Sequence, residues 1–499
     1  MYDLYQPLLN ALRKQAMLPS LHVIWAWMQH LQFGIDLPSY IQVPASIRQA
    51  LPGPEKGIYE WELALLAREL LAVAPVNGGR TDLRLWQEFS TTLNELKNLD
   101  NAISGRYEKL FRERIFFEMA RIAHQQFWWQ RAMRVDAEVT RYLKIFGHPA
   151  LGSILQGQVG LDARALYTVG LSAAGHFLEN SELALPASFS LTGASGEQVA
   201  WFLRTYSLNL HDMQARCNSR PFDEDFVYAL NPLVQFPLVA YSVGAQPRLM
   251  CPVPRYLIRR FTEGVYYDIL NAPRFDSAFG TAYQAYVGEI IAAVNDRKSL
   301  TILPDAEYFV GKNRKQSVDW IASDSSGEMF VECKTKRLRY DAKIALADLS
   351  RLQQELAKLA EFAVQVYRTL ADALEGNYPH WTPSERPIYP LVVTLEDWHV
   401  FGHALAAEVD SHLRSAFRVE GLNESMLQRF PLTTCSVGEF ERLMALVAIK
   451  DVHSVMKEKV SSKRRLWMVH SALMDAFPEE YGKTRGNLFP EALESITGI

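Results

Sequence analysis

Apolar residues recur at helical spacing through the first half of the chain. Between Tyr59 and Val73, Leu63, Leu65, Leu66, Leu70 and Leu71 make a broad stripe that Pro75 closes, which predicts an amphipathic helix. A second pattern, Tyr107 to Phe146, predicts a long helix with Phe111, Ile115, Phe116, Met119 and Ile122 on its inner face. Inside it, the run Phe127-Trp128-Trp129 fits core packing, because aromatics dominate cores by area. The same run fits a platform on which bases or a partner protein would stack. Ala184 to Gly193 reads as a loop or short extended piece, and helical spacing resumes at Glu197. The apolar run Leu233 to Val243 is interrupted by Pro237 and falls well below the ~20 residues that span a bilayer. Residues 1–265 thus read as one mostly helical region, without a repeat or a motif that names its chemistry.

The period changes after Asn271-Ala272-Pro273. Phe279, Tyr283, Tyr286, Val287, Ile290, Ile291 and Val294 recur at threes and fours, an amphipathic helix from Phe279 to Val294. Glu289 lies beside that stripe among Ala282, Ala285, Ala292 and Ala293, where a helix approaches a sheet closely and would partly enclose a carboxylate. Short extended pieces follow at Leu300–Leu303 and Glu307–Val310, then a basic connector, Gly311 to Gln316. Val318–Ala322 and Met329–Lys334 are strand-like arms joined by Asp324-Ser325-Ser326-Gly327, good hairpin turn chemistry with glycine free to take positive φ. A helical pattern from Asp341 to Ala373 buries Leu349, Leu352, Leu356, Leu359, Ala363 and Leu370. It leads to the apolar strand Tyr389–Leu395. A helix between two strands is a crossover and lets the last strand pair in parallel. Residues 266–400 therefore read α-β-β-β-α-β.

Residues 401–499 return to a mostly helical pattern. Pro431–Cys435 is a short strand, and Ser436-Val-Gly-Glu439 is a capping box opening a helix through Ala448. Lys457, Lys459, Lys463, Arg464 and Arg465 read as a solvated basic helix face. The fold class is α+β and multidomain: a large helical N-terminal domain, the α-β-β-β-α-β core, and a helical C-terminal region.

Composition narrows the function classes. At 499 residues the chain exceeds one ordinary core, and 48% hydrophobic with 22% charged residues is globular usage. A net charge of -4 argues against a wholly basic nucleic-acid coat. Cys217, Cys251, Cys333 and Cys435 lie far apart, without the spacing of a zinc site or disulfide framework. With no secretory pattern after Met1-Tyr2-Asp3-Leu4, these features predict a soluble cytoplasmic protein and no membrane partner.

The hairpin carries the candidate chemistry. Side chains two apart on a strand share a face, so Glu332 and Lys334 project together, with Asp319 on the neighbouring arm. Two carboxylates and a strand carbonyl are hard oxygen ligands suited to magnesium or manganese. A lysine beside them can orient a water or stabilise charge in phosphodiester hydrolysis. This constellation resembles the PD-(D/E)xK nuclease superfamily over about residues 279 to 395. The resemblance implies a restriction-endonuclease-like core and a Mg (or Mn) cofactor. It further implies Asp319, Glu332 and the Cys333 backbone carbonyl as metal ligands, Lys334 as catalytic lysine, and Glu289 as an auxiliary ligand or water-orienting group. Val318 stands where the motif name has proline. Glu95-Leu96-Lys97 repeats the Glu-x-Lys spacing, but in a helical pattern, where residues two apart point in different directions.

Lys312, Arg314, Lys315, Lys336 and Arg337 crowd around this core, with Arg339 and Lys343 nearby, as a patch for the nucleic-acid backbone. His399, His403 and His412 lack the carboxylate of a zinc motif, and no Gly-x-x-x-x-Gly-Lys-Ser/Thr phosphate loop is present. The expected function is a metal-dependent endonuclease with DNA as the favoured substrate and RNA as the alternative. Analogy extends this to a bacterial anti-phage, abortive-infection effector whose N-terminal half binds a phage protein as trigger. The alternatives are a catalytically silent nuclease-like binding module and a restriction-type enzyme with its own sequence preference.

Overall fold

The computed structural model describes residues 2–48, 57–130, 135–189, 194–295, 299–344 and 346–497. The leucine stripe forms its helix at Glu60–Val73, with Leu63, Leu66, Leu70 and Leu71 fully buried. The segment expected to be one helix from Tyr107 to Phe146 breaks into Glu108–Glu113, α1 (Ile115–Gln130) and α2 (Val135–Phe146). Residues 131–134 of that segment, and residues 190–193 of the expected Ala184–Gly193 loop, lie outside the described residues.

The inner face of α1 is not the predicted one. Ile115, Phe116 and Met119 are exposed, while Glu118, Ala120, Arg121, Ala123 and Trp129 are buried. The reason is an ion-pair network: Arg121 meets both Glu118, at 2.8 Å, and Asp225, at 2.7 Å, and turns this polar pair inward. The N-terminal half is also less helical than its pattern. Four strands, β1 (Glu182–Ala184), β2 (Ser207–Asn209), β3 (Leu238–Val243) and β4 (Gln246–Met250), form a sheet in the order β1-β4-β3-β2. The apolar run around Pro237 supplies β3.

Six further strands follow α3 (Phe275–Ala293): β5 (Thr301–Pro304), β6 (Glu307–Val310), β7 (Asn313–Gln316), β8 (Trp320–Ser323), β9 (Glu328–Lys334) and, after the crossover helix α4 (Ser350–Leu374), β10 (Ile388–Thr394). A seventh, β11 (Thr433–Ser436), comes from the C-terminal region and completes a sheet in the order β11-β10-β9-β8-β5. β8 pairs antiparallel with both β5 and β9, and β10 pairs parallel with both β9 and β11, as the crossover requires. The basic connector is not a loop. Its residues form β7, which pairs with β6 as a separate two-stranded ribbon. The helical pattern expected from Asp341 begins as a short helix, Tyr340–Ile344, before α4.

The two faces of the sheet bury different helices. Met329, Val331 and Val393 pack with Phe279, Tyr283, Val287 and Ile290 of α3. Ile321, Phe330 and Val392 pack with Leu356, Leu359, Ala363 and Leu370 of α4. Gly288 allows the first contact, because a Cβ there would overlap the Trp320 indole. These clusters divide the chain elsewhere than at residue 265. Residues of 139–206 and 257–269, α3, and residues of the C-terminal helix α5 (Val437–Ile449) share one core, residues of 5–129 share another with Met213, Cys217, Phe226 and Tyr256, and β3 and β4 contribute side chains to both.

The hairpin turn is pinned from the C-terminal side. Asp324 Oδ1 accepts from the Ser326 and Gly327 N–H groups, at 2.7 and 3.1 Å, and its Oδ2 accepts from Val452 N–H at 3.0 Å. Gly327 does not take the positive φ expected of it. Its value is space, since a Cβ would press on Val452 and the His453 backbone. The capping box at Ser436 and Glu439 forms as predicted and opens α5. The basic run after Lys457 is not one solvated face: Lys459 is buried and donates to Arg465 O, and Lys463 and Arg464 both reach Asp475. Among the described residues, no helix is long and apolar enough to cross a membrane.

Candidate active site

Strand register puts the carboxylates together. Pro304 pairs with Trp320 and Trp320 with Val331, so one step further Asp305, Asp319 and Glu332 stand in a row across β5, β8 and β9. Directly opposite residues of antiparallel strands share a face. Asp319 has the parity of Ile321 and Glu332 that of Phe330, both of which pack toward α4. Lys334, two residues on, faces the same way.

Contacts fix each group. Lys334 Nζ donates to Glu332 Oε1 at 2.6 Å and to Gln365 Oε1 of α4 at 2.6 Å, and lies 5.3 Å from the centre of the Phe362 ring. Asp319 Oδ2 accepts the Cys333 N–H at 2.6 Å, a bond made just beyond the last β8–β9 pair. Lys334 O accepts from Leu395 N–H at 3.1 Å, on the β10 side. Successive carbonyls of a strand point to opposite sides, so the Cys333 carbonyl is directed toward the Asp319 side.

Electrostatics favour a cation at this place. Burial, and then the Asp319 carboxylate, push Glu332 up to about 7 despite the Lys334 ammonium. Burial raises Asp319 as well, against the Cys333 N–H and Lys334. Two acids held in a low dielectric thus face one ammonium, and a divalent ion would offset the remainder. The donors are hard oxygens, which suit magnesium or manganese. The described residues hold no group of three or more His, Cys, Asp or Glu side chains that could grip a metal ion, so a metal here could draw on only two carboxylates and a strand carbonyl.

The raised Glu332 pKa has a stability consequence with a definite sign. An unfolded glutamate ionises near 4.3, below its folded value of about 7. The folded state therefore binds the extra proton, and stability falls as pH rises from about 4 to 7. In metal-free protein at pH 8, Glu332→Gln is expected to stabilise by roughly 1–3 kcal/mol, an advantage that vanishes by pH 4. Denaturation curves of both proteins across that range measure it, and equal stability at pH 8 would contradict it.

Sequence reasoning misplaced Glu289. Its side chain is 46% exposed and pairs with Lys144 of α2 at 2.8 Å. α3 covers the sheet face opposite the one bearing Glu332 and Lys334, so Glu289 does not join them. Glu289→Gln is expected to cost under ~1 kcal/mol, as for a surface ion pair, and to leave magnesium affinity unchanged by calorimetry. The α3 residue that reaches the carboxylate row is Gln284, whose Nε2 donates to Asp305 Oδ1 at 2.9 Å. Gln365 and Asp305 were both missed. Asp305 lies two residues past the predicted strand Leu300–Leu303, and Gln365 is one turn from Phe362 on the flank of the crossover stripe.

The basic patch is largely neutralised by distant acids. Arg337, expected at the nucleic acid, is buried, 3.4 Å from Glu263 and 3.2 Å from Glu396. Arg314 pairs with Glu307 on the β6–β7 ribbon, and Lys315 is held 2.7 Å from Asp372 of α4. Of these three only Arg337 is withdrawn from the surface, whereas Arg314 stays exposed in its pair and Lys315 stays partly accessible. Lys336 keeps a looser contact, 3.6 Å from Glu355, and Lys312 is exposed at the ribbon turn. The decoy Glu95-Leu96-Lys97 is helical, with Lys97 paired to Glu62 at 3.3 Å. His399 is buried against the His124 ring at 4.5 Å, and Gly402 takes φ 75° at the start of the helix bearing His403 and His412.

Compared with family models, curated proteins and solved structures, the chain finds no match. Its functional reading rests on its own geometry.

Proposed function

We propose that the chain is a metal-dependent nuclease of the PD-(D/E)xK kind, hydrolysing phosphodiester bonds of DNA and, secondarily, RNA. The observation that carries this reading is the convergence of Asp319, Glu332 and Lys334 on one sheet face where β8 and β9 part. The five-stranded sheet supports it: leaving aside the β6–β7 ribbon, α3 is followed by the antiparallel strands β5, β8 and β9, the crossover α4 and the parallel strand β10, an order like that of restriction endonucleases.

Asp319, Glu332 and the Cys333 carbonyl would hold Mg2+ or Mn2+. When bound, such an ion lowers the pKa of a water and offsets charge developing on phosphorus. Lys334 supplies a positive charge beside the carboxylates, held in place by Glu332 and Gln365. Lys336 lies two residues further along the same segment, where a phosphate next to the scissile one would pass.

Incubating the purified chain with DNA and RNA in magnesium, manganese or chelator tests the reading. Cutting that needs the metal and disappears in Lys334→Ala supports it, and cutting that persists in chelator refutes it. As a wider part of the same proposal, the chain is a cytoplasmic anti-phage effector whose N-terminal half answers a phage protein. Toxicity upon co-expression with one phage protein, abolished by Glu332→Ala, is the expected result. Toxicity undiminished in that variant would separate the effector role from this site.

A further inference from the structure

A cavity of about 660 Å³ lies between the helical half and the segment that leaves β9, and none of Asp319, Glu332 or Lys334 lines it. Its size is that of a small-molecule site, typically about 300–1,000 Å³. The walls come from α1, from residues 227–235 and 256–270, and from Arg337 to Ile344.

Two kinds of group dominate those walls. Planar cations lie over aromatic faces: Arg259 is 4.7 Å from the Trp128 ring, Arg121 is 4.0 Å from Tyr228, and Arg337 is 4.9 Å from Tyr267. The charges are also unevenly matched. Arg121 and Arg260 each have their own acids, Glu118 with Asp225 and Asp268 respectively. Arg259, Arg337 and Lys343, by contrast, share Glu263 and Glu396, three cations on two carboxylates. Burial and then the Arg337 guanidinium hold Arg259 below its ordinary range. Yet 31% of the Arg259 side chain stays accessible, which leaves it open to an anion.

The mouth is apolar. Leu230, Tyr267, Leu270 and Tyr340 are large side chains that remain exposed, and all of them line this cavity. An apolar ligand would leave the surplus cation unanswered, and a bare inorganic anion would leave the aromatic walls and rim uncovered. A molecule with a planar ring and a phosphate answers both.

We infer that the cavity is a nucleotide site, with the base against its aromatic walls and the phosphate at the Arg259 and Lys343 end. The occupant is a free nucleotide or the phosphorylated end of a strand, which share this chemistry. The site stands apart from the nuclease reading, although Arg337 and Lys343 belong to the segment that follows Lys334, and Leu338 N–H donates to Glu396 Oε1 at 2.7 Å just beyond β10.

Calorimetric titration of the full chain in chelator, where no metal-dependent cutting can intrude, tests this. The probes are the nucleoside 5′-monophosphates, adenosine, inorganic phosphate and a 5′-phosphorylated tetranucleotide. One monophosphate is expected to bind at least about tenfold more tightly than phosphate or adenosine, a gap of about 1.4 kcal/mol. If the tetranucleotide alone shows that preference, the occupant is a strand end. Tyr267→Ala and Leu230→Glu, both at the exposed rim, are expected to weaken this binding about tenfold without loss of the folded state. Failure of every monophosphate and of the tetranucleotide to bind overturns the inference. So does binding that neither variant changes.

Discussion

Asp319→Asn is expected to lower metal-dependent hydrolysis by roughly 10²–10³-fold or more, since the charge stabilisation it helps provide is worth several kcal/mol. The fold should survive the change. The asparagine carbonyl oxygen can still accept the Cys333 N–H that Asp319 Oδ2 holds at 2.6 Å, so the variant loses charge and keeps its hydrogen bond. Magnesium affinity should fall in parallel, read by calorimetry at pH 8, where Glu332 is ionised. Adding Lys334→Ala should cost much less than the product of the single losses, because groups acting on one transition state are not additive. Wild-type turnover in Asp319→Asn would remove this carboxylate from the chemistry.

Arg141→Ala should destabilise the protein by about 3–5 kcal/mol, the usual result of breaking a buried ion pair from one side. Arg141 of α2 grips Glu441 of α5 through two bonds, Nε to Oε1 at 2.6 Å and Nη2 to Oε2 at 2.9 Å. The Tyr286 hydroxyl of α3 adds a third at 2.8 Å. Without the guanidinium, Glu441 would be buried with Tyr286 alone. Replacing both partners, as Arg141→Met with Glu441→Leu, should recover most of the loss, because the desolvation cost disappears with the charges. Chemical denaturation of both variants beside the wild type measures this. A cost under 1 kcal/mol for Arg141→Ala would mean that water enters this junction.

What was legible in the sequence was local. The hairpin from Ser317 to Lys336 could be found because strand alternation and turn chemistry act over a few residues, and Asp319, Glu332 and Lys334 do share a face. The crossover could be found because α4 is long and strongly periodic. Glu289 failed because a helical projection gives an angle but not a neighbour. The same arithmetic that set it beside the stripe could not reveal Lys144, on a helix far away in sequence, as its partner. Arg337 failed likewise, since a window around it shows an excess of base, while Glu263 and Glu396 lie tens of residues off in either direction. On α1 the rule that apolar residues face inward was overridden by Arg121, whose partners Glu118 and Asp225 satisfy it inside. The small N-terminal sheet stayed hidden because its strands run from three to six residues, too short for alternation to register.

The parallel run β9-β10-β11 also sets a schedule for translation. β9 emerges with Asp319, Glu332 and Lys334 already made, yet its outer edge has no neighbour until Ile388–Thr394 has been synthesised and α4 has folded back. β11 and the Glu441 clamp arrive later still. A nascent or prematurely terminated chain thus contains Asp319, Glu332 and Lys334 of the proposed site without the sheet that aligns them. If the proposed nuclease reading holds, ribosomal stalling or proteolytic clipping ahead of residue 388 should release fragments that are inert toward nucleic acid, a consequence of strand order alone.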